Sequence, residues 1–213
     1  FPEMLGLLKL ESGRNRCMVI GEDMGVVPDE FRDAVIRGAV YTNKLFYFER
    51  EHDGRFKAPE HYMAKALAML TNHDVPTLAS WWAGTDIELR DRLNLLDEES
   101  SAESVLSERH ADKRRVLEWL RARGLDIPCD DESLIANPLN ADLAEQIFLA
   151  GAKVASQLYV LQLEDLELID APVNVPGTST EYDNWQRKLK VDIDELFTQE
   201  SIINTLDKIN ELR

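Results

Sequence analysis

Cysteine, histidine and positive charge are all scarce in this 213-residue chain. Only two cysteines occur, Cys17 and Cys129, far apart, and such a pair makes neither a disulfide framework nor a zinc site. Cys17 sits in the apolar run Cys17-Met18-Val19-Ile20 and is expected as a buried, reduced thiol. The four histidines, His52, His61, His73 and His110, match no zinc spacing. Lys and Arg number 24 against 40 Asp and Glu, a formal net charge of −16. A nucleic-acid partner needs a basic surface, and Arg114-Arg115 and Arg187-Lys188 are too short and too closely flanked by acids to make one. No apolar stretch reaches membrane-spanning length and no basic-then-apolar leader opens the chain. No nucleic acid, no membrane and a cytoplasmic location are therefore expected. A glycine-rich phosphate loop and a Gly-x-Ser-x-Gly elbow are also missing.

What is present suits an α/β protein. The length allows one sizeable core, or half of a large α/β barrel with insertions. Phe1 as first residue fits a piece cut from something longer. Residues 17–20 form a short β-branched run closed by Gly21 and predict a buried strand. Residues 28–37 predict a helix, with Pro28 at its start, acids in its first turn and Arg37 at its end. Residues 45–48, Leu-Phe-Tyr-Phe, predict a second strand, followed by a polar loop over 52–59. Residues 66–70 predict a third strand with a polar tip at 71–74, and 158–161 a fourth. Strands separated by helical segments indicate a parallel sheet. Between the third and fourth lies a long helical insertion, residues 85–153. Within it, residues 112–123 place Val116, Leu117 and Leu120 on one face before a stop at Gly124, and 138–153 form a second helix. The acid-rich tail, 192–213, reads as an amphipathic helix that docks on the rest.

Three motifs carry the chemistry. Gly21-Glu22-Asp23-Met24-Gly25 follows the first strand, and Asn72-His73-Asp74-Val75-Pro76-Thr77-Leu78 follows the third. The last is Asn174-Val175-Pro176-Gly177-Thr178, trailed by Asn184-Trp185-Gln186-Arg187-Lys188-Leu189. In a parallel β/α barrel the active site lies at the carboxyl ends of the strands, where Glu22 and Asp74 both fall. Singly, each motif also reads as a turn with a helix-capping acid. Together and in this order, the chain resembles the 4-α-glucanotransferases of the amylomaltase (disproportionating enzyme) family. The likeness is nearest to the large bacterial form that processes maltodextrins. It covers essentially the whole chain, least clearly over the helical insertion.

The resemblance implies the C-terminal half, strands five to eight, of a TIM-type (β/α)8 barrel, with residues 1–213 one part of a single catalytic domain. It implies Glu22 as general acid/base, Asp74 as the third carboxylate that holds sugar hydroxyls, and His73 as a substrate-hydroxyl ligand. Asn174, Pro176 and Gly177 would form part of the sugar-binding wall. The family's nucleophile, an aspartate in an Arg-x-Asp-His-like segment, has no counterpart in this sequence. The implied partners are maltooligosaccharides, glucose and the missing N-terminal part of the same polypeptide. No organic cofactor or metal is implied, and the piece alone would be inactive and prone to self-association.

Retaining cleavage of an α-1,4 bond needs one carboxylic acid to protonate the leaving oxygen and a carboxylate about 5–5.5 Å away to capture the anomeric carbon. The acid must hold its proton near neutrality, so burial is expected to raise the pKa of Glu22. Transfer rather than hydrolysis requires partial exclusion of water. Tyr47, Phe48, Trp81 and Trp82 stand near enough to the motifs to stack on sugars, although core packing is the weightier reading of each. Two other readings stay open. One is a non-catalytic glucan-binding half-barrel. The other is a metal-dependent phosphohydrolase built on His52 with His73 and Asp74.

Overall fold

Four short strands, β1 (Ile20–Gly21), β2 (Tyr41–Leu45), β3 (Ala66–Met69) and β4 (Leu158–Val160), pair in chain order into one sheet. The computed structural model describes residues 1–22, 28–127 and 130–213, so Asp23, Met24 and Gly25 of the first motif, and Cys129, lie outside the described residues. All three pairings are parallel, with Gly21 opposite Thr42, Thr42 opposite Ala66, and Leu67 opposite Leu158. Parallel neighbours cannot be joined by a tight hairpin, so each connection must cross over. The helices before and within these crossovers are α1 (Pro2–Asn15), α2 (Asp29–Arg37), α3 (Leu78–Ala83), α4 (Thr85–Arg92), α5 (Ala102–Arg121), α6 (Asp131–Ala136) and α7 (Ala141–Ala152). After β4 come α8 (Leu163–Leu166), α9 (Ile193–Leu196) and α10 (Glu200–Leu212). The expectation of a parallel α/β sheet is met.

The first two strands differ from the sequence reading. Pairing begins only at Ile20, and Cys17 is exposed rather than buried. The residues before the strand are used to end α1. Arg16 takes a left-handed conformation (φ 51°) and the Cys17 N–H donates to Ser12 O at 3.0 Å, closing the last turn. The helix α1 was not anticipated. It buries no residue and leaves Met4, Leu7 and Leu10 exposed. The second strand is Tyr41–Leu45, and the aromatic run after it turns into a 3-10 helix, Phe46–Phe48. Phe46 stacks on Phe56 at 4.2 Å and meets Trp119 at 5.0 Å, so these aromatics mark the core and not the ladder. The third and fourth strands fall where the sequence places them.

Helix ends between β3 and β4 follow their caps. Ser101 and Ser104 form a reciprocal capping box, which starts α5 well before the predicted residue 112. Gly124, at φ 69°, stands just past its end. Asn140 accepts from Leu143 N–H at 2.8 Å and so sets the start of α7. Residues 93–101 are turns and loop, so 85–153 is not helical throughout. Val116, Leu117 and Leu120 of α5 join Leu70, Leu78, Trp82 and Ile147 in the main core. The tail docks, but as two helices, α9 and α10, rather than the single helix expected over 192–213. Ile202, Thr205 and Ile209 are buried, and Glu145 of α7 bonds both Thr205 (2.9 Å) and Lys208 (2.6 Å) of α10. No helix among the described residues is long and apolar enough to cross a membrane.

Candidate functional site

Just past β3 the chain is buried through Thr71 and Asn72 and then emerges at His73 and Asp74. The Asn72 side-chain oxygen accepts the Asp74 N–H at 2.9 Å, a local turn that fixes where the Asp74 side chain starts. Asp74 Oδ1 accepts from Asn174 Nδ2 at 2.8 Å, while its Oδ2 lies 3.4 Å from His73 Nε2. Thr77 Oγ1 then accepts from Ser80 N–H and caps α3.

The facing wall, residues 172–185, is held by its own polar groups. The Val175 N–H donates to Asn184 Oδ1 and Asn184 Nδ2 donates to Thr178 Oγ1, both at 2.8 Å. The Tyr182 hydroxyl donates to Pro172 O at 2.6 Å. Gly177 sits at φ 93°, where a Cβ would meet the Leu95 side chain at 3.3 Å, so both conformation and space favour glycine. Trp185 also has positive φ, 64°, a strained setting for a bulky residue, and the bond from its N–H to Val173 O at 2.8 Å helps hold it there. Its exposed indole lies 5.2 Å from the His73 ring.

Asp165, on α8, was not singled out from the sequence. It is completely buried, accepts the Thr71 hydroxyl on one oxygen and accepts the Leu78 N–H at 2.7 Å on the other. Burial pushes its carboxyl up to about 6, although the bonds from Thr71 and Leu78 act in the opposite direction. Its folded pKa therefore stands above the unfolded value, so its stabilising contribution is full below about pH 4 and is lost as pH rises through about 6. Measured as wild type minus Asp165→Asn, unfolding free energy is expected to fall by about 3 kcal/mol between pH 3.5 and 7. Denaturant titrations at several pH values check this. A flat difference would contradict it.

The structure gathers His73, Asp74, Asn174 and Pro176, with Gly177 beside them. Asp74, Asn174 and Pro176 line one small cavity of about 40 Å³, together with Asp86 of α4. Glu22 is not in that group. It leaves the carboxyl end of β1, the same end of the parallel sheet, but is exposed and lines a separate apolar cavity of about 380 Å³ with residues of α1 and α2. The stagger explains the separation, because the end of β1 lies level with the start of β3. Trp81, Trp82 and Tyr47 are core residues, whereas Phe48 is 60% exposed. Trp185 is the missed aromatic. It stood in the third motif, and its neighbour Asn184, which ties the wall together, was the available signal. His52 lines a different cavity, of about 670 Å³, beside α5. Among the described residues no group of three or more His, Cys, Asp or Glu side chains is placed to hold a metal ion.

The chain matches the family model described as 4-alpha-glucanotransferase over residues 1–194. A 4-alpha-glucanotransferase of Haemophilus influenzae is 32% identical over all of this chain and 30% of its own length. One from Mycobacterium tuberculosis is 29% identical over 86% of this chain and 25% of its own. Among solved structures, amylomaltase from Corynebacterium glutamicum superposes with a TM-score of 0.85 at 26% identity, covering 97% of this chain and 30% of that one. Amylomaltase from Streptococcus agalactiae, solved in complex with acarbose, shares the fold at a TM-score of 0.63 and 19% identity, over 98% of this chain and 34% of its own. The chain thus spans about 30% of the length of its Haemophilus relative. A family model matched over nearly the whole chain leaves one reading: the chain belongs to the 4-alpha-glucanotransferase family.

Proposed function

We propose that this chain supplies strands five to eight of a TIM-type barrel in an enzyme that moves α-1,4-glucan segments between maltodextrins. The proposed reaction is a retaining double displacement. Glu22 protonates the leaving glycosidic oxygen in the first step. In the second it takes the proton from the acceptor's 4-hydroxyl, so one carboxyl serves as acid and then as base. Asp74 holds hydroxyls of the sugar being transferred and opposes the positive charge that develops on its ring. His73 binds a neighbouring hydroxyl, and Asn174 with the Pro176-Gly177 turn walls the sugar in. The nucleophile comes from chain beyond these 213 residues. Maltooligosaccharides and glucose are the donors and acceptors.

The observation that carries this reading is the bond from Asn174 to Asp74, which joins two segments 100 residues apart into one polar wall. A turn whose acid merely caps a helix would not need that partner. In this structure the capping oxygen of α3 belongs to Thr77, leaving Asp74 available to a ligand. Exposed Trp185 beside His73 adds an apolar face of the kind that stacks on sugar rings.

Maltotriose disproportionation tests the proposal. A full-length glucanotransferase carrying this chain should convert maltotriose into glucose and longer dextrins. The 213-residue chain alone should give no detectable product, since loss of a member of a catalytic unit costs several orders of magnitude. Robust turnover by the chain alone would show that the nucleophile or the reaction has been misassigned.

A further inference from the structure

We propose that Asp165 is a positioning residue for the reaction: it holds the segment 71–78 in the course that presents His73 and Asp74 to the sugar. The inference rests on the function proposed for Asp74. Its own evidence is separate and lies in how one carboxylate closes this segment at both ends.

Thr71 and Leu78 bracket the segment, and their hydroxyl and amide both donate to Asp165. Leu78 opens α3, so its N–H has no acceptor inside the helix and must find one elsewhere. Between the two clamped ends, the Tyr47 hydroxyl donates to Pro76 O at 3.3 Å and the Thr77 hydroxyl to Ile169 O at 2.5 Å. The exposed part of the turn, His73 and Asp74, is therefore carried on a buried polar frame.

The same short helix and its C-cap residue, Glu167, hold the segment that follows the other wall. Glu164 pairs with Arg187 at 3.4 Å. Glu167 accepts the N–H groups of Lys190 (3.0 Å) and Val191 (3.1 Å). Three acids within about one helical turn thus fix the segment bearing Asp74 and the segment just after Trp185. A buried carboxylate is costly unless its bonds are made, and here both of its bonds go to the segment carrying the proposed site. A displacement of about 1 Å at a reacting group can cost about a hundredfold in rate, so such a frame is worth its burial.

Asp165→Asn still offers an oxygen to Leu78 but presents an amide to Thr71, so the clamp should loosen while the chain folds. In a full-length glucanotransferase carrying this chain, it should lower kcat about tenfold or more and leave KM within about threefold. A double-mutant cycle with Asp74→Asn separates positioning from a loss of folded protein. The cycle is read with α-maltotriosyl fluoride, whose reactivity keeps slow variants measurable. Once Asp74 is replaced only the placement of His73 is left to lose, so Asp165→Asn should then cost several-fold less than it does in the wild type. Thr71→Val, which removes one of the two bonds, should follow the same pattern with a smaller loss and serves if Asp165→Asn fails to fold. Equal losses in both backgrounds, or no loss in the wild type, would overturn the inference. If Asp74→Asn itself left turnover within a few-fold of wild type, the proposed site would fail first, and this inference with it.

Discussion

In a full-length glucanotransferase carrying this chain, Asp74→Asn is expected to lower turnover of maltotriose by about a thousandfold or more. The substitution keeps size and leaves an oxygen to accept from Asn174, so the contact at 2.8 Å between the two walls should survive. What is lost is the negative charge beside a ring that becomes positive in the transition state, and such preorganised charge is the largest single contribution in many active sites. In its proposed role Asp74 acts on the sugar being transferred, so the loss should appear with every donor, including one whose leaving group departs unaided. Steady-state rates on maltotriose and on α-maltotriosyl fluoride check this. Thermal midpoints should stay close to wild type, since Asp74 is partly exposed and lies outside the core. A rate within a few-fold of wild type on either donor would remove Asp74 from the mechanism.

Much of this fold could be read from local pattern. Residues 66–70 and 158–161 are short apolar runs bounded by polar turns, a pattern consistent with buried strands, and β3 and β4 stand there. The helix over 28–37 followed from its caps, and α2 occupies it. Local pattern failed where residues serve a distant partner. Leu45-Phe46-Tyr47-Phe48 looks like a strand, but Phe46 is drawn off the ladder by Phe56 and Trp119. The polar Tyr41–Leu45 pairs instead, because the strands on either side bring their own hydrogen-bonding edges to it. Cys17 looks buried in its run of four, yet the chain there is turning out of α1.

The site divides the same way. Glu22 and Asp74 are candidates because a parallel sheet delivers the residues after its strands to one end, whereas His73, Asn174, Pro176 and Gly177 come only from the family resemblance of their motifs. Glu22 obeys the rule for its strand, but the stagger keeps it out of the cavity at Asp74. Asp165 was not legible at all. Glu164-Asp165 within Gln162-Leu163-Glu164-Asp165-Leu166 reads as the solvated acidic first turn of a helix. Only the fold reveals that the second acid faces inward toward Thr71 and Leu78, 94 and 87 residues away in the chain. Trp185 lay inside a recognised motif, yet its exposure beside His73 depends on a left-handed backbone that no sequence pattern announces.

The central claim is that Glu22 and Asp74 serve one reaction in different roles, and the measurement that separates the roles is Glu22→Gln assayed on two donors. Gln keeps the size of the side chain but has no proton to give. Maltotriose, whose leaving sugar must be protonated, should be turned over about a thousandfold more slowly. Fluoride departs without that help, so formation of the glycosyl-enzyme from α-maltotriosyl fluoride should stay within about tenfold of wild type. Pre-steady-state fluoride release in a full-length glucanotransferase carrying this chain reads that step directly. A large loss on maltotriose with a small one on the fluoride is the expected result. Equal losses on both donors, or no loss on maltotriose, would contradict the assignment of Glu22 as the acid.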